Sequence, residues 1–453
     1  MDASSPPRYR RFSTRPGPAP SSGVAAAELP PYTRRNTLTQ PINLQREPTE
    51  HVFQLSDGKP SPWLTLHVFS SAKSSKSLPT FFEKENISGR LELDAQRGDS
   101  IQAITAFVTG RIITGSNIDD SFVFLNLTQP IWSKSPDLPR LPSSSQGAGS
   151  SKLIGHCVWP LSIPLPRTVT VPSGSGEMRP FRLPETFLER QTRVSVQYDL
   201  TVIVSRGKLR TDNRIKTAFG YVPSSRPDAP SLIRQIAYQQ FLPVPGPLSD
   251  PEGWKTMRPV AVRGTMFSVH RAEAKATLSL AKPLCYSRGS VMPCFLTLEG
   301  TDTQVLDLLS VPTSIVLSLR RRVQFYNKTS SSRKDVAWNE TVEDMGVAVW
   351  WPSSDVPSDA HTRHLEGEIR LAKDLRPTSE MGHFSISYSA VLCPFTAVGF
   401  TFDSSALLSE PVEIATMHAR GPRTNAYAPP AYDPPSRHTE AHANFDSVGF
   451  HLT

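Results

Sequence analysis

Proline, spread along the whole chain, most constrains what this sequence can fold into. The chain has 43 prolines in 453 residues, well above the usual share of about 5%. A proline inside a helix costs about 3 kcal/mol, so long helices are disfavoured. A coiled coil, a helical bundle and a TIM barrel are therefore excluded, whereas 38% hydrophobic residues are enough for a core.

Proline density also divides the chain. Residues 1–50 hold nine prolines and few bulky apolar side chains, and the last residues are similar in composition. We predict disordered tails over residues 1–50 and 417–453. A third proline-rich stretch, residues 223–259, is interpreted as an interdomain connector with a short helix over Pro230–Phe241. Its large apolar residues are expected to pack on the body of the protein, because water is a poor environment for them.

Between these stretches, apolar and polar residues alternate in short runs. Alternation with a period of two indicates strands that bury one face of a sheet. The runs in the first half are Ser88–Asp94, Ile101–Ile113, Ser121–Trp132 and Val194–Val204. Those in the second half are Thr265–Leu280, Val291–Leu298, Thr313–Tyr326, Val347–Trp351, Leu365–Leu371, His383–Val391 and Val398–Phe402. Many short strands predict an all-β fold with two consecutive antiparallel, immunoglobulin-like β-sandwiches, over residues 51–222 and 260–416.

Charge and hydropathy limit the cellular compartments and the classes of partner that this sequence suits. The net charge is +8, but it is not gathered into the dense basic stripe of a nucleic-acid-binding protein. It suits anionic lipids or acidic, phosphorylated partner tails. No run approaches the ~18 apolar residues of a membrane span, and the first thirty residues lack a signal-peptide pattern. We expect a cytoplasmic or peripheral protein. Four glycosylation sequons, at Asn86, Asn126, Asn327 and Asn339, keep a secreted or surface β-sandwich binding protein open as an alternative.

The sequence contains no recognisable set of catalytic residues. It has no GxGxxG, P-loop or GxSxG motif, and its four cysteines form no CxxC pair. His361 and His364 are three residues apart but have no third ligand in view. We therefore predict no enzymatic activity, no cofactor and no metal. The Trp350-Trp351 pair is interpreted as core and edge packing rather than as an aromatic binding platform.

The most specific motifs lie in the predicted tails. Pro429-Pro430-Ala431-Tyr432 and Pro6-Pro7-Arg8-Tyr9 are PPxY motifs, and Leu29-Pro30-Pro31-Tyr32 has the related LPxY form. Independent placement of the 43 prolines and 10 tyrosines predicts roughly 0.1 PPxY matches, against two observed. WW domains bind such segments because a polyproline II helix is preformed and loses little entropy on docking. The candidate WW-binding residues are Pro429, Pro430, Tyr432, Pro6, Pro7, Tyr9, Leu29, Pro30 and Tyr32.

Basic residues suggest two further kinds of site. Ser13 and Thr37 follow paired arginines, as basophilic kinases prefer. Thr14 lies in the string Arg11–Pro16, which would suit a 14-3-3 protein if Thr14 were phosphorylated. Added phosphate charge near the N-terminal motifs is a hypothesis for masking or exposing them. Arg320, Arg321 and Arg322 either form a basic patch for lipid or acidic cargo, or pair with nearby acidic residues; pairing is the favoured interpretation.

The order of these patterns resembles the fungal α-arrestins over residues 51–416. The segments that carry the resemblance in the first block are Ser88–Leu93, Ile101–Arg111, Gly155–Pro166, Leu183–Phe187 and Val194–Arg206. Those in the second block are Val262–Leu280, the stretch from Gly289, and Pro312–Tyr326. The resemblance implies two arrestin-like sandwiches that bind cytosolic tails of membrane transporters or receptors, at the plasma membrane and endosomes. It also implies that the PPxY residues recruit a WW-domain HECT ubiquitin ligase. An arrestin-like trafficking or signalling scaffold without a ligase is the alternative of the same architecture.

Overall fold

Strands make up nearly all the regular structure of this chain. The computed structural model describes residues 47–56, 61–95, 101–115, 121–134, 153, 155–174, 176–189, 192–207, 210–327, 337–402, 406–430 and 432. Within these ranges there are two α-helices, α1 (Leu232–Gln240) and α2 (Thr303–Leu309). Two 3-10 turns, Pro251–Gly253 and Pro312–Ser314, each begin at a proline, which lacks the N–H that the first turn of a helix leaves unpaired.

The described part of the first half contains twelve strands. They are β1 (Thr49–Leu55), β2 (Leu64–Ser70), β3 (Thr80–Phe82), β4 (Asn86–Ala95), β5 (Ile101–Ile113), β6 (Ser121–Ser133), β7 (Gly155–Pro164), β8 (Thr168–Pro172), β9 (Met178–Arg182), β10 (Phe187–Leu188), β11 (Ser195–Arg206) and β12 (Asn213–Val222). One sheet has the order β1-β2-β4-β7, and the other has the order β3-β12-β11-β5-β6 with β10 beside β11. The short ribbon β8-β9 is separate.

The second sandwich repeats this plan, with thirteen strands among its described residues. They are β13 (Trp254–Thr256), β14 (Val260–Met266), β15 (His270–Ala281), β16 (Cys285–Ser287), β17 (Val291–Glu299), β18 (Leu317–Asn327), β19 (Ala337–Val347), β20 (Val349–Pro352), β21 (Thr362–Arg370), β22 (Ser379–Met381), β23 (Phe384–Leu392), β24 (Phe400–Phe402) and β25 (Leu408–Ala415). The sheet orders are β20-β21-β17-β15-β14-β24, with β13 beside β15, and β16-β25-β23-β18-β19, with β22 beside β23. All described pairs are antiparallel except β3 with β12 and β16 with β25.

The all-β prediction with two consecutive sandwiches is confirmed. The predicted strand Thr265–Leu280 is wrong at its start, because Phe267 and Ser268 take positive φ angles of 51° and 64° and reverse the chain there. The predicted strand Thr313–Tyr326 starts late, at Leu317, after the turn at Pro312–Ser314. The short helix predicted over Pro230–Phe241 corresponds to α1, which begins after the N-cap Ser231.

Alternating side chains from facing sheets fill the core. Along β5 the residues at every second position, such as Ile104, Ala106 and Val108, are fully buried. Gly89 in β4 allows close backbone approach, because a Cβ there would lie 2.2 Å from the carbonyl oxygen of His67. Burial of these faces, at about 25 cal/mol per Å² of apolar surface, is the main force that holds each sandwich together.

A buried arginine joins the two sandwiches. Along β18, Leu319, Arg321, Val323 and Phe325 are all buried, so Arg321 occupies a position where the alternation would place an apolar residue. Its guanidinium donates to both carboxylate oxygens of Glu189 in the first sandwich, at 2.9 and 2.8 Å, and to Glu343 on β19 at 2.6 Å. Burial opposes the charge of Arg321, but these carboxylates outweigh it and raise the pKa of the guanidinium.

Other contacts extend this junction. Arg288 and Arg376 of the second sandwich lie 3.2 and 3.5 Å from the carboxylate of Glu185. Phe187 packs beside them on Phe384 of β23, with ring centroids 5.4 Å apart. The junction therefore combines apolar contact with ion pairs that are largely shielded from water.

We predict that Arg321→Ala lowers the free energy of unfolding by about 2–3 kcal/mol, because two partly buried carboxylates lose their shared donor. The matched control is the neighbouring Arg322→Ala. Arg322 is 52% exposed and lies 3.7 Å from Glu340, and an exposed pair is worth about 0–1 kcal/mol. Urea unfolding of both variants measures the difference, and equal losses would contradict a special role for Arg321.

Candidate functional site: the C-terminal PPAY segment

The predicted site residues fall into two groups in the structure. Those of the N-terminal region lie outside the described residues: Pro6, Pro7, Tyr9, Ser13, Thr14, Leu29, Pro30, Tyr32 and Thr37. Pro429, Pro430 and Tyr432 of the C-terminal motif are described. The candidate site is therefore built around the segment Met417–Tyr432, called here the PPAY segment.

The start of the PPAY segment is hydrogen-bonded to the connector on one side and to the second sandwich on the other. The Met417 N–H donates to the Ser225 carbonyl at 2.8 Å, and the Arg226 guanidinium donates to the His418 carbonyl at 2.6 Å. On the other side, the Ser287 hydroxyl donates to the Met417 carbonyl at 3.0 Å. The first residues after β25 thus lie between the connector and the second sandwich.

The middle of the segment is fixed on α1 and β21. The Asn425 side-chain amide donates to the Tyr238 carbonyl at 3.1 Å. The ring of Tyr427 stacks on that of Tyr238 with 6.5 Å between centroids, and its backbone N–H donates to the Glu368 carboxylate at 2.8 Å. Composition assigned these residues to the tail, and nothing in their local sequence indicates a partner on a helix almost 190 residues earlier.

The motif itself is folded into a turn beside a cavity that Pro429 and Tyr432 help to line. The Tyr432 N–H donates to the Pro429 carbonyl at 2.9 Å, which closes a four-residue turn. Pro429 is partly buried, Pro430 is exposed and Tyr432 is 42% exposed. Pro429 and Tyr432 border a cavity of about 460 Å³ whose walls include Trp254, Phe295 and Trp351.

The aromatic walls come from three different elements and are individually held in place. Trp351 projects from the edge strand β20, and its indole N–H donates to the Glu366 carboxylate at 3.2 Å. Trp254 begins β13 near the end of the connector, and its indole N–H donates to the Pro245 carbonyl at 2.9 Å. The Arg234 guanidinium lies 4.9 Å from its ring centroid. Phe295 of β17 packs edge-on against Trp254. The adjacent residues Trp350 and Trp351 have different roles. Trp350 is 1% exposed and packs in the core, whereas Trp351 borders the cavity.

The three arginines at 320–322 each face a carboxylate. Arg320 donates to Asp344 at 2.9 Å, and this hydrogen bond lowers the pKa of the Asp344 carboxyl. Arg321 is buried in the junction, and Arg322 lies near Glu340. Nearby carboxylates therefore neutralise most of the positive charge that these three arginines could offer to a lipid or a cargo tail.

The described residues offer neither a metal cluster nor a membrane-crossing helix. No group of three or more His, Cys, Asp or Glu in this part of the chain is arranged to hold a metal ion. The His361 ring lies 3.3 Å from the Gly300 carbonyl, and the His364 ring lies 3.3 Å from the Thr297 hydroxyl. None of the described helices has the length and apolar character needed to cross a bilayer.

Comparison with known proteins assigns no family to this chain. No protein-family model matches it, and no curated protein matches it. The resemblance to α-arrestins accordingly stays a prediction from the sequence pattern.

We predict that acid loosens the PPAY segment through His418. Burial lowers the pKa of His418, and the nearby Arg423 and Arg226 lower it further. A histidine in a detached segment has a pKa of about 6.5, so the detached form binds more protons. The contribution of His418 to docking is therefore complete well above pH 6.5 and is lost as the pH falls below it.

Amide hydrogen exchange of residues 417–427 measures this effect. The ratio of wild-type to His418→Gln exchange rates cancels the intrinsic pH dependence of exchange. This ratio should rise between pH 7.5 and 5.5, because the detached form binds more protons than the docked form. A ratio that stays constant would contradict the prediction.

Proposed function

We propose that this protein is a non-enzymatic, α-arrestin-like adaptor that brings a WW-domain HECT ubiquitin ligase to plasma-membrane transporters or receptors. Its output is ubiquitination and endocytosis of the bound cargo. The protein forms and breaks no bonds in this scheme. It raises the effective concentration of the ligase at the cargo tail, which accelerates the transfer by proximity.

The observation that carries the proposal is the C-terminal PPxY motif on a two-sandwich body. Pro429, Pro430 and Tyr432 supply the residue types that a WW domain recognises, with prolines for its aromatic groove and a tyrosine for the neighbouring pocket. Pro430 and Tyr432 are exposed enough for a partner to make first contact. The motif follows β25 (Leu408–Ala415) after a short segment of chain, so a ligase bound there would lie next to the second sandwich.

The two sandwiches support the cargo-binding half of the proposal. Several of the segments that resemble α-arrestins form regular strands, with Ser88–Leu93 inside β4 and Ile101–Arg111 inside β5. Ion pairs and aromatic contacts join the sandwiches at the Arg321 junction. A body of this kind presents extended sheet edges and loops, which suit peptide-like tails better than small substrates.

We expect WW-domain capture of the full chain to depend on the PPxY and LPxY tyrosines. A Tyr9→Ala/Tyr32→Ala/Tyr432→Ala variant should lose at least roughly ten-fold in affinity for an immobilised WW domain, because the tyrosine pocket is left empty. Pro430→Ala alone should weaken the C-terminal site without unfolding the protein, since Pro430 is exposed. Pro435→Ala, just beyond the motif, is the matched control and should bind like the wild type.

Equal capture of the wild type and the triple variant would refute ligase recruitment. The scaffold without a ligase would then be the better assignment. Affinity capture from cells with the wild type and the triple variant separates the two functions. The adaptor loses its ligase and keeps its membrane cargo when the tyrosines are removed.

A further inference from the structure

We infer that the second sandwich contains an internal binding site for the PPAY motif, and that this site competes with the WW domain for the same residues. The site is the aromatic cavity bordered by Trp254, Phe295 and Trp351, called here the aromatic pocket. The inference rests on the proposed function, because it assumes that a WW domain is the external partner of the motif.

The first support is conformational. In the docked state, the hydrogen bond from Tyr432 to Pro429 closes a turn, which brings the Cα atoms of these two residues within about 7 Å. A WW domain binds the same four residues as polyproline II, in which they span roughly 9 Å and have no internal hydrogen bond. One segment cannot adopt both conformations at once, so docking and WW binding exclude each other.

The second support is chemical. Proline-rich segments bind to grooves lined by aromatic side chains, and two tryptophans and a phenylalanine line the aromatic pocket together with Pro429 and Tyr432. The pocket reproduces in the same chain the kind of surface that the external partner would offer.

The third support is preorganisation. The Trp351 indole is held by Glu366, and the Trp254 indole is held by Pro245. Neither contact involves the PPAY segment. The two tryptophan walls are therefore held in place without the segment, and docking loses little entropy by ordering them.

The fourth support is a set of tethers outside the motif, of which the Asn425 contact also lies outside the pocket lining. Asn425 bonds to α1, and Tyr427 stacks on Tyr238 and bonds to Glu368. These contacts keep the motif near the pocket, so docking is intramolecular and has a high effective concentration. They also provide a way to release the motif without altering it.

The consequence is a reduced affinity of the full chain for a WW domain. The apparent dissociation constant rises in proportion to the inverse of the fraction of molecules with a released motif. If one molecule in ten is released, a free peptide binds about ten-fold more tightly than the full chain.

The test measures binding of a fluorescently labelled WW domain from a HECT ligase to the full chain and to a synthetic peptide of residues 423–437. The full chain carries Tyr9→Ala and Tyr32→Ala, so that Pro429–Tyr432 is its remaining PPxY motif. Two release variants are made in this background. Trp351→Ala removes a wall of the pocket, and Asn425→Ala removes a tether.

We expect the peptide to bind roughly ten-fold more tightly than the unreleased chain, and both release variants to approach the peptide. Trp338→Ala is the matched control, because Trp338 is 50% exposed on β19 and does not border the pocket. It should bind as weakly as the unreleased chain. Asn425→Ala in the peptide should leave its affinity unchanged, which shows that the tether acts through docking.

The outcomes separate the two proposals. A peptide that binds no WW domain refutes ligase recruitment through Pro429–Tyr432. A peptide and an unreleased chain of equal affinity refute the internal site and leave ligase recruitment standing. A weaker full chain that neither variant restores also refutes the aromatic pocket as the cause. If a thermal melt shows that Trp351→Ala is unfolded, the internal site is tested with Asn425→Ala alone. Release of the segment must then speed hydrogen exchange of the Tyr427 amide, and unchanged exchange would refute the internal site.

Discussion

The Arg321 bridge sets the relation between the two sandwiches, and the rest of the described body depends on that relation. A guanidinium on an inward-facing strand position is costly to bury unless its donors are matched. Here Glu343 on the neighbouring strand supplies one carboxylate, and Glu189 of the first sandwich supplies the other. The cost is offset only when the two sandwiches are together, so the pair favours one arrangement over a loosely jointed chain.

The connector is the second structural element on which the site depends. Arg234 on α1 is 1% exposed and donates to the carbonyls of Gly253 and Lys282. The same guanidinium lies over Trp254, which forms a wall of the aromatic pocket. Tyr238, one turn later on α1, receives the stacked ring of Tyr427. One short helix therefore positions both the pocket and the tether, and a movement of the connector would change the two together.

The sequence was sufficient for the fold class but not for the site. Alternation reports which side of a strand is buried, and this property is local, so β5 and β23 could be read directly. The turn at Phe267 and Ser268 could not be predicted, because neither position with a positive φ is a glycine. Helix α2 did have a signal, because Asp302 caps the N–H groups of Gln304 and Val305.

The roles of Arg321 and Trp351 could not be predicted from local sequence, because their partners are distant along the chain. Glu189 is 132 residues from Arg321, and the other walls of the pocket come from elements far along the chain. No local pattern reports such partners. The PPxY motif could be recognised in the sequence because a WW domain binds contiguous residues. The contacts of the motif within this chain come from residues that only the fold brings together. Proline serves both states, since its fixed φ suits a turn and polyproline II alike. The choice between them is then made by what surrounds the motif, an aromatic pocket of the same chain or an aromatic groove of a partner.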